Sequence, residues 1–364
     1  MRARAAISTG PDAPFDIRSV DVDDPRADEI LVKLSATGIC HTDLFFKSKV
    51  PAAAGPCLFG HEGVGVVTAV GPAVTTVTPG DHVVLSYRSC GDCRPCRQGQ
   101  PAYCDRSTEL NALGVRPDGA PGVSCDGKAV LAGFFGQSSF AEYALAHPDN
   151  VVVVDAAVDK AVIAALGCGF QTGAGAVLNV LRPTSSSQLV IYGTGSVGFA
   201  ALLAARAAGV ERIVAVDPAG PRRELATELG AVAVDPTEPD AAQAIASATD
   251  GGATHALDTT GIPAVIRQAA ASLRATGALA VVGLGAAEVT IDIQDLLFKG
   301  KTIRGCIEGD ARIHEFIPAL VDLYAAGTFP IDRLITRYRP EEFNQAIADQ
   351  ADGRVIKPVI VWDH

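Results

Sequence analysis

Short apolar runs broken by Gly and Pro fill the chain up to about residue 157. Residues 30–34, 63–70 and 82–86 are examples, and no long helical periodicity separates them. Short β-rich runs at this spacing are typical of a compact antiparallel, barrel-like domain. We therefore expect a mainly β domain over this part of the chain.

The pattern changes near Asp159, where strand-like and helix-like segments begin to alternate. The predicted strands are 188–192, 212–216, 255–257, 278–282 and 302–304, and the predicted helices are 197–208, 221–229 and 264–273. This alternation indicates βαβ units on a parallel sheet, so the expected fold class is α/β. Beyond about residue 300 the alternation fades, and a helix at 340–347 and a strand at 356–361 must pack elsewhere.

Composition excludes several classes of function. Hydrophobic residues make up 48% of the 364 residues and charged residues 20%, which is too apolar for a disordered chain. At roughly 150 residues per domain, this length favours two domains. The net charge is −11, from 30 basic and 41 acidic side chains, so binding to the phosphate backbone of nucleic acid is not expected.

The cysteines indicate a compartment and a ligand. No apolar stretch is long enough to span a membrane, and the first residues contain no run of signal-peptide length. We therefore expect a cytoplasmic protein with no membrane partner and with reduced thiols. Four of the nine cysteines lie between positions 90 and 104, unlike the even framework of a small secreted domain. Clustered reduced thiolates favour a metal site.

A predicted strand runs into a glycine loop that opens a helix. The loop residues are Gly193, Thr194, Gly195, Ser196, Val197 and Gly198. In such a motif the first glycine permits a tight turn, the second lets the backbone approach a pyrophosphate and the third allows close packing of helix on strand. The alternative is an ordinary tight turn.

Asp217 strengthens the nucleotide interpretation of this loop. It lies at the end of the next predicted strand, 19 residues after Gly198. An acidic side chain there accepts hydrogen bonds from the adenosine ribose and repels a 2′-phosphate, so it favours NAD over NADP. The alternative for Asp217 is a solvated surface carboxylate.

The four clustered cysteines have the spacing of a metal site. Cys90, Cys93, Cys96 and Cys104 fall within 15 residues and can close a tetrahedron around zinc. With four thiolates and no open position, such a site would be structural. Disulfides and an iron–sulfur cluster are the alternatives for this ligand set.

A second possible ligand set is dispersed along the chain. Cys40, His61 and Cys168 supply two thiolates and one imidazole. Taken singly, each is more often a buried core residue than a ligand. Taken together, they form a set that leaves the fourth position of zinc open to water or substrate.

The chain resembles the zinc-dependent medium-chain alcohol dehydrogenases over essentially its whole length. The resemblance lies in the order and spacing of five segments, those around Cys40, His61, Cys90–Cys104, Cys168 and Gly193–Asp217. Within that superfamily, the chain is similar to the aryl-alcohol (benzyl alcohol) and geraniol dehydrogenase branch in three segments, 85–91, 133–143 and 167–175. The resemblance implies a mainly β, GroES-like catalytic domain formed by 1–163 and 300–364. It also implies a Rossmann NAD-binding domain at 164–299, with the active site in the cleft between the two.

The resemblance also implies two zinc ions per chain. Cys40, His61 and Cys168 would hold a catalytic zinc that binds the alcohol oxygen and lowers its pKa, so that hydride passes from the alkoxide to the nicotinamide. The four clustered cysteines would hold a structural zinc. Asp43 and Glu62 match acidic positions beside the catalytic metal.

Further roles follow from matching positions in the family. Thr42 matches the hydroxyl that takes the alcohol proton. Three residues match positions that contact the cofactor: His41 and Lys357 at the pyrophosphate, and Arg222 near the adenosine ribose. Many relatives continue the proton relay with a histidine five residues after the first zinc cysteine, where this chain has Phe45. The resemblance therefore implies a relay that ends at the ribose and solvent.

The substrate is expected to be a primary aryl or allylic alcohol, oxidised to its aldehyde in a reversible reaction. A group of phenylalanines lies in segments that approach the zinc in relatives: Phe45, Phe46, Phe59, Phe134, Phe135 and Phe140. The alternatives are a dehydrogenase for a formaldehyde–thiol adduct, a general-purpose alcohol dehydrogenase, and a non-catalytic zinc and nucleotide sensor. Relatives assemble through their nucleotide domains, so a homodimer or homotetramer is expected.

Overall fold

The computed structural model describes residues 1–116 and 118–362. The chain separates into two compact units. The first unit contains Met1–Cys168, Arg312–Val321 and the segment from Ile335 onward, and the second contains Gly169–Ala311 and Asp322–Leu334. The first unit is therefore discontinuous in sequence.

The first long segment is mainly strand. In chain order its elements are β1 (Arg2–Ser8), β2 (Asp16–Val22), β3 (Ile30–Gly38), α1 (His41–Lys47), β4 (Cys57–Leu58), β5 (Gly63–Val70), β6 (His82–Leu85), α2 (Arg94–Arg97), α3 (Ser107–Asn111), β7 (Val123–Cys125), β8 (Lys128–Ala129), β9 (Tyr143–Ala146), β10 (Val151–Val153) and α4 (Lys160–Ile163). A 3₁₀ turn, Ala164–Gly167, leads to Cys168.

The second unit alternates helices and strands, and the chain then returns to the first unit. The elements are α5 (Gly169–Gly175), β11 (Gln188–Tyr192), α6 (Ser196–Ala207), β12 (Arg212–Val216), α7 (Gly220–Glu228), β13 (Val232–Val234), α8 (Ala241–Ala248), β14 (Ala253–Asp258), α9 (Pro263–Ser272), β15 (Leu273–Val281), α10 (Ile293–Lys299), β16 (Thr302–Gly305), α11 (Ile313–Ala325), β17 (Ile335–Tyr338), α12 (Phe343–Ala351) and β18 (Lys357–Val361).

Sheet topology confirms the two expected architectures. In the described part of the chain, the first unit has one sheet ordered β4-β1-β2-β7-β8 and another ordered β10-β6-β5-β3-β18-β17, with β9 also on β3. Their pairings are antiparallel except for β17 with β18. The second unit has a parallel sheet ordered β13-β12-β11-β14-β15-β16.

Three segments lie outside their predicted domains: residues 164–168 lie in the first unit, and residues 300–311 and 322–334 lie in the second. β16 pairs in parallel with β15, from Ala278 with Thr302 to Val281 with Gly305. Residues 300–311 therefore lie in the second unit, whereas the prediction ended that domain at residue 299. The predicted limit was set where the apolar alternation fades, but main-chain pairing with β15 keeps this strand in the parallel sheet. The predicted return of the C-terminal strand is seen, since β18 pairs with β3.

Each unit has its own apolar core. The first core contains residues such as Ile7, Ile30, Phe59, Phe140 and Phe343, drawn from both ends of the chain. The second is built on the parallel sheet and contains residues such as Val190, Val214 and Leu279.

No single helix in the described residues is long and apolar enough to cross a membrane; Lys160–Gly167 and Gly169–Leu181 meet that criterion only when combined.

Candidate functional site

The structure brings the dispersed ligand candidates together. One ligand atom from each of Cys40, His61, Glu62 and Cys168 lies within 4.8 Å of the others. His61 and Glu62 are fully buried, and Cys168 is 7% exposed. We call these four residues the buried cluster. The sequence-based prediction contained the two cysteines and the histidine as ligands, and Glu62 as a neighbour.

Three chain turns place these side chains side by side. Cys40 is the N-cap of α1, His61 and Glu62 directly precede β5, and Cys168 follows a 3₁₀ turn. The approach is close because glycines lie at the crossing points. A Cβ on Gly38 would clash with the Glu62 carboxylate, and a Cβ on Gly167 would clash with the carbonyl of Leu85. The cluster therefore needs both glycines in order to close.

Asp43 orients the histidine. Its Oδ1 atom lies 2.8 Å from Nδ1 of His61 and 3.0 Å from the amide of Gly60, while Oδ2 accepts the amide of Cys40 at 3.1 Å. A carboxylate can only accept, so Nδ1 donates and Nε2 is the atom left for a ligand. Among the described residues, buried Nε2 of His61 has no hydrogen-bond partner.

The electrostatics of the cluster favour a cation at this point. Burial opposes protonation of His61, but the charge of Asp43 and its hydrogen bond raise the pKa of His61 well above its ordinary value. The Cys168 thiol and the His61 ring hold the pKa of Cys40 well below its usual range. Two sulfurs and an orphaned imidazole nitrogen are the ligand types that zinc prefers, so the residues fit the metal.

Lys357 makes contacts that its predicted role did not include. Its Nζ lies 2.5 Å from Oε2 of Glu62 and donates to the carbonyl of Ile39 at 3.0 Å, and the residue has no exposed surface. Burial raises the pKa of Glu62, while Glu62 offsets the effect of burial and raises the pKa of Lys357. The ammonium group has a third N–H beyond these two bonds, so the predicted pyrophosphate contact of Lys357 stays a prediction. In this conformation it neutralises Glu62.

The four clustered cysteines form a second, shallower group, which we call the cysteine loop. Ligand atoms of Cys90, Cys93, Cys96 and Cys104 lie within 4.8 Å of one another. Main-chain amides point at the sulfurs: Cys93 donates to Cys90 at 3.3 Å, Cys90 to Cys104 at 3.3 Å and Arg106 to Cys104 at 3.4 Å. Backbone amides, first that of Cys96, lower the pKa of Cys93 to about 7. A set of four sulfurs fits a closed zinc site.

The glycine loop has the geometry of a phosphate cradle. Gly193 has φ 86°, in the left-handed region. A Cβ on Gly195 would meet nothing within 4 Å, whereas one on Gly198 would clash with the carbonyl of Gly193. The space at Gly195 is open at the N-terminus of α6, where Gly195 is the N-cap and Ser196 and Val197 form the first turn. The loop therefore fits a dinucleotide pyrophosphate.

Asp217 lies at the end of β12, beside this loop. Its Oδ2 atom accepts the amide of Thr194 at 2.7 Å and its Oδ1 atom accepts the amide of Ala219 at 2.9 Å. Arg222 approaches the same carboxylate at 3.7 Å. Each oxygen keeps acceptor capacity for a further donor, as a ribose hydroxyl requires.

The helix that follows Cys40 carries the remaining candidates. His41 is exposed at its start and Thr42 is half-buried in its first turn. Phe45 is half-buried, and its ring is 5.5 Å from that of Phe46, which is 41% exposed. No side chain with a transferable proton stands at position 45.

The predicted phenylalanines divide into two groups. Phe134 and Phe135 contact His61, with ring centroids 5.5 and 4.6 Å from the imidazole, and Phe46 lies 5.6 Å from Phe134. We call Phe46, Phe134 and Phe135 the aromatic wall. Phe59 and Phe140 are fully buried in the core of the first unit, and Phe134, at 2% exposed, belongs to the same core, so Phe46 and Phe135 provide the accessible part of the wall.

Sequence reasoning missed two polar residues near the buried cluster. Gln137 and Ser86 are 2% and 0% exposed, and both bond to main-chain atoms beside His61 or Cys168. The one polar amide among the Gly, Phe and Ser residues of 133–140 marks the position of Gln137 but not its partners. The partners come from distant segments and could not be read from the pattern.

Family models match both parts of the chain. Residues 26–156 match the alcohol dehydrogenase GroES-like domain, and residues 196–326 match the zinc-binding dehydrogenase model. Geraniol dehydrogenase of Castellaniella defragrans is 45% identical over 367 residues, covering 100% of this chain and 98% of the relative. A probable S-(hydroxymethyl)glutathione dehydrogenase 1 of Schizosaccharomyces pombe is 35% identical, covering 99% and 97%.

Solved structures agree with these matches. Benzyl alcohol dehydrogenase from Acinetobacter calcoaceticus has a TM-score of 0.95 and 42% identity, and both chains are fully covered. A zinc-binding domain protein of the alcohol dehydrogenase type from Burkholderia ambifaria has a TM-score of 0.96 and 43% identity, also with full coverage. The chain belongs to the zinc-dependent medium-chain alcohol dehydrogenases, which use zinc and NAD, and it is an oxidoreductase that acts on alcohols.

Proposed function

We propose that this chain oxidises primary aryl or allylic alcohols to aldehydes, and reduces the aldehydes in the reverse direction, with NAD as hydride acceptor. The aromatic wall carries the proposal. Phe134 and Phe135 pack directly on His61, and Phe46 extends the wall toward solvent. An aromatic surface beside the metal ligands, with the rings of Phe134 and Phe135 inclined at 68°, favours a substrate with a ring or a double bond next to its hydroxyl group. The geraniol and benzyl alcohol dehydrogenases among the similar proteins support this choice.

We assign the catalytic zinc to Cys40, His61 and Cys168, and the structural zinc to Cys90, Cys93, Cys96 and Cys104. When bound, the catalytic zinc supplies Lewis acidity that lowers the pKa of the alcohol. Asp43 fixes the tautomer and the ring orientation of His61 through its bond to Nδ1. Lys357 holds the Glu62 carboxylate and balances its charge.

Thr42 accepts the alcohol proton through its hydroxyl group. It is half-buried on α1, two residues after Cys40. Because the Phe45 side chain has no transferable proton, we expect the relay to pass from Thr42 to the cofactor ribose and then to solvent. This route gives weaker base assistance than a relay with a histidine at that position.

The glycine loop and Asp217 bind the NAD. Gly195 admits the pyrophosphate to the N-terminus of α6, and the Asp217 carboxylate accepts from the adenosine ribose. The same carboxylate repels a 2′-phosphate, and its neighbour Arg222 is already directed toward it at 3.7 Å. NAD is therefore preferred to NADP.

A substrate panel tests the proposal. Zinc per chain is measured together with kcat/KM for benzyl alcohol, geraniol, ethanol and formaldehyde plus thiol, each with NAD and with NADP. We expect one zinc for each ligand set, higher kcat/KM for benzyl alcohol and geraniol than for ethanol, and preference for NAD. A preference for the thiol adduct, or equal use of all alcohols, would replace the substrate proposal. No turnover of any alcohol would overturn it.

We further propose that the protein works in the reducing cytoplasm, where its thiols stay available as metal ligands.

We also propose that the chain associates with a second copy of itself through the second unit. β16 is an edge strand of the parallel sheet. Three apolar side chains of neighbouring α10 are strongly exposed: Ile293 at 65%, Leu297 at 71% and Phe298 at 81%. An open strand edge beside an apolar helix suits self-association. Light scattering should show a dimer or tetramer, and the double variant Leu297→Asp with Phe298→Asp should give a monomer; a monomeric wild type would contradict the proposal.

A further inference from the structure

A buried amide spans the peptide of one ligand. Gln137 is 2% exposed, and its Oε1 atom accepts the amide of Gly63 at 3.0 Å. Its Nε2 atom donates to the carbonyl of His61 at 3.0 Å and to the carbonyl of Ser86 at 3.0 Å. The side chain therefore holds both sides of the His61–Glu62 turn and ties them to the end of β6.

Ser86 continues this connection to the next ligand. Its hydroxyl group donates to the carbonyl of Gly167 at 2.6 Å, and Gly167 is joined directly to Cys168. Asn150, also fully buried, donates to the Ser86 carbonyl at 3.3 Å and to the Phe135 carbonyl at 3.0 Å. Gln137 and Ser86 thus form a bonded path from the peptide of His61 to the peptide that precedes Cys168.

We propose that Gln137 and Ser86 are positioning residues for the metal centre, setting the spacing and orientation of His61 relative to Cys168. The inference rests on the proposed function, because it assigns these two residues to the same zinc site. Asp43 fixes the imidazole ring from one side, and Gln137 fixes the main chain that carries it. A ligand anchored at both ring and backbone keeps its geometry while the fourth metal position exchanges.

Two features support a role beyond packing. Burying polar groups such as these amides and the hydroxyl is costly unless each is hydrogen-bonded, and here they bond the main chain directly at His61 and directly before Cys168. The segment that carries Gln137 also holds Phe135 and Ser138 in left-handed backbone, each with φ 51°. Such conformations are retained where the surroundings enforce them, and they concentrate at functional sites.

The experiment compares metal release in the full-length enzyme. The variants are Ser86→Ala and Gln137→Met, and the matched control is Asn344→Leu. Asn344 is a comparable amide of the same unit, which bonds the main chain of Phe15 at 2.9 and 2.8 Å. The readouts are the rate of zinc transfer to a chelator and the visible absorption of the cobalt-substituted protein, which reports ligand geometry. The cysteine loop in each molecule serves as an internal reference.

Both test variants should release the exchangeable zinc about tenfold faster than wild type or more, in the range found for residues that support metal ligands. Their cobalt spectra should shift, while zinc in the cysteine loop is released at the wild-type rate. Asn344→Leu should lower the melting temperature and leave the release rate and spectrum unchanged.

Several outcomes would overturn the inference. If both variants fold, bind cobalt with the wild-type spectrum and release zinc at the wild-type rate, the two residues only fill space. If Gln137→Met fails to fold, Ser86→Ala alone decides, since it removes one hydroxyl group and leaves the remaining bonds. A wild type that binds no zinc at the buried cluster would instead refute the proposed function, so the two failures are distinguishable.

Discussion

The two ligand groups are built on opposite plans. The four sulfurs of the cysteine loop come from 15 consecutive residues, and three of the four cysteines are half-exposed. Backbone amides of the same segment point at the sulfurs. The buried cluster takes ligands from positions 40, 61 and 168, at the ends of different elements. Three further side chains hold it in place: Asp43, on the same helix as Cys40, and Gln137 and Lys357 from two distant segments.

This difference fits the two roles proposed for these groups. Four thiolates close the coordination of zinc, so the cysteine loop can fold its own segment but cannot admit a substrate. In the buried cluster two thiolates and one imidazole leave a position free, and Glu62, the remaining acid, is drawn off by Lys357 at 2.5 Å. A site that must stay open depends on support from outside its ligands, whereas a closed site does not.

The largest expected effect separates the two plans by activity. His61→Ala should lower kcat/KM for benzyl alcohol by more than about 10³-fold, because metal binding supplies several kcal/mol of stabilisation to the transition state. Zinc analysis should show loss of the exchangeable ion with the cysteine-loop ion retained. His147→Ala, in the same unit with its ring 3.9 Å from Asp28, is the control and should stay near wild-type activity. An active His61→Ala would show that the buried cluster is not the catalytic site.

The next effect concerns buried charge. Lys357→Met leaves the Glu62 carboxylate fully buried without its cation, which should destabilise the fold by about 3 to 5 kcal/mol in urea unfolding. Removing both charges, in Lys357→Met with Glu62→Gln, should recover most of that loss. The exposed pair of Glu109 and Arg106, 2.6 Å apart beside the cysteine loop, is the matched control, and Glu109→Gln should have no measurable effect. Equal losses in the single and double variants would contradict a compensating pair.

Much of the fold was predictable because its patterns are local. Segment 188–192, its glycine loop and the strand at 212–216 match the observed β11 and β12 in their limits. Helix α8 was not predicted, although it is short, alanine-rich and amphipathic, and the strand predicted at 302–304 is seen as β16 but lies beyond the predicted domain limit at 299. The limit of a domain, unlike the strand itself, depends on which strand it pairs with, and this pairing is not encoded in its own residues.

The same rule separates the two ligand groups. The spacing of Cys90 to Cys104 predicts a metal site by itself, since the ligands lie on one loop. Cys40, His61 and Cys168 have the ligand types of an open zinc site, but their spacing alone does not join them, and the resemblance to a family was needed to assign them to one metal. The contact of Lys357 with Glu62 and the bonds of Gln137 join residues from distant segments, and nothing in their local sequence indicates them.

A smaller effect tests whether the cysteine loop is purely structural. Cys96→Ser should remove its zinc and lower stability; a loss of about 3 kcal/mol corresponds to a fall in melting temperature of about 6 to 12 °C for a domain of 150–250 residues. Protease cleavage within 90–106 should become faster. Turnover per intact chain, measured at low temperature, should stay within a few-fold of wild type. A loss of turnover as large as that of His61→Ala would mean that the loop takes part in catalysis.

The smallest effect concerns how the open site is supported. Asp43→Asn keeps the shape of the side chain but removes the negative charge that faces the Nδ1–H group of His61, where Oδ1 and Nδ1 are 2.8 Å apart. Support of this kind is typically worth about 10- to 100-fold in metal affinity or activity. We therefore expect kcat to fall within that range, and zinc to be lost to a chelator faster, while the zinc of the cysteine loop is unaffected.

The position of Asp43 makes this last variant informative, because its carboxylate also accepts the amides of Gly60 and Cys40. An asparagine oxygen can keep one of these bonds, and its amide group opposes the other donors. Asp43→Asn should therefore disturb Cys40 and His61 together, and the cobalt spectrum should report both as one shifted species. If kcat falls while the spectrum and the metal release rate stay at wild-type values, Asp43 acts on the reaction directly, and the buried cluster depends less on outside support than its geometry indicates.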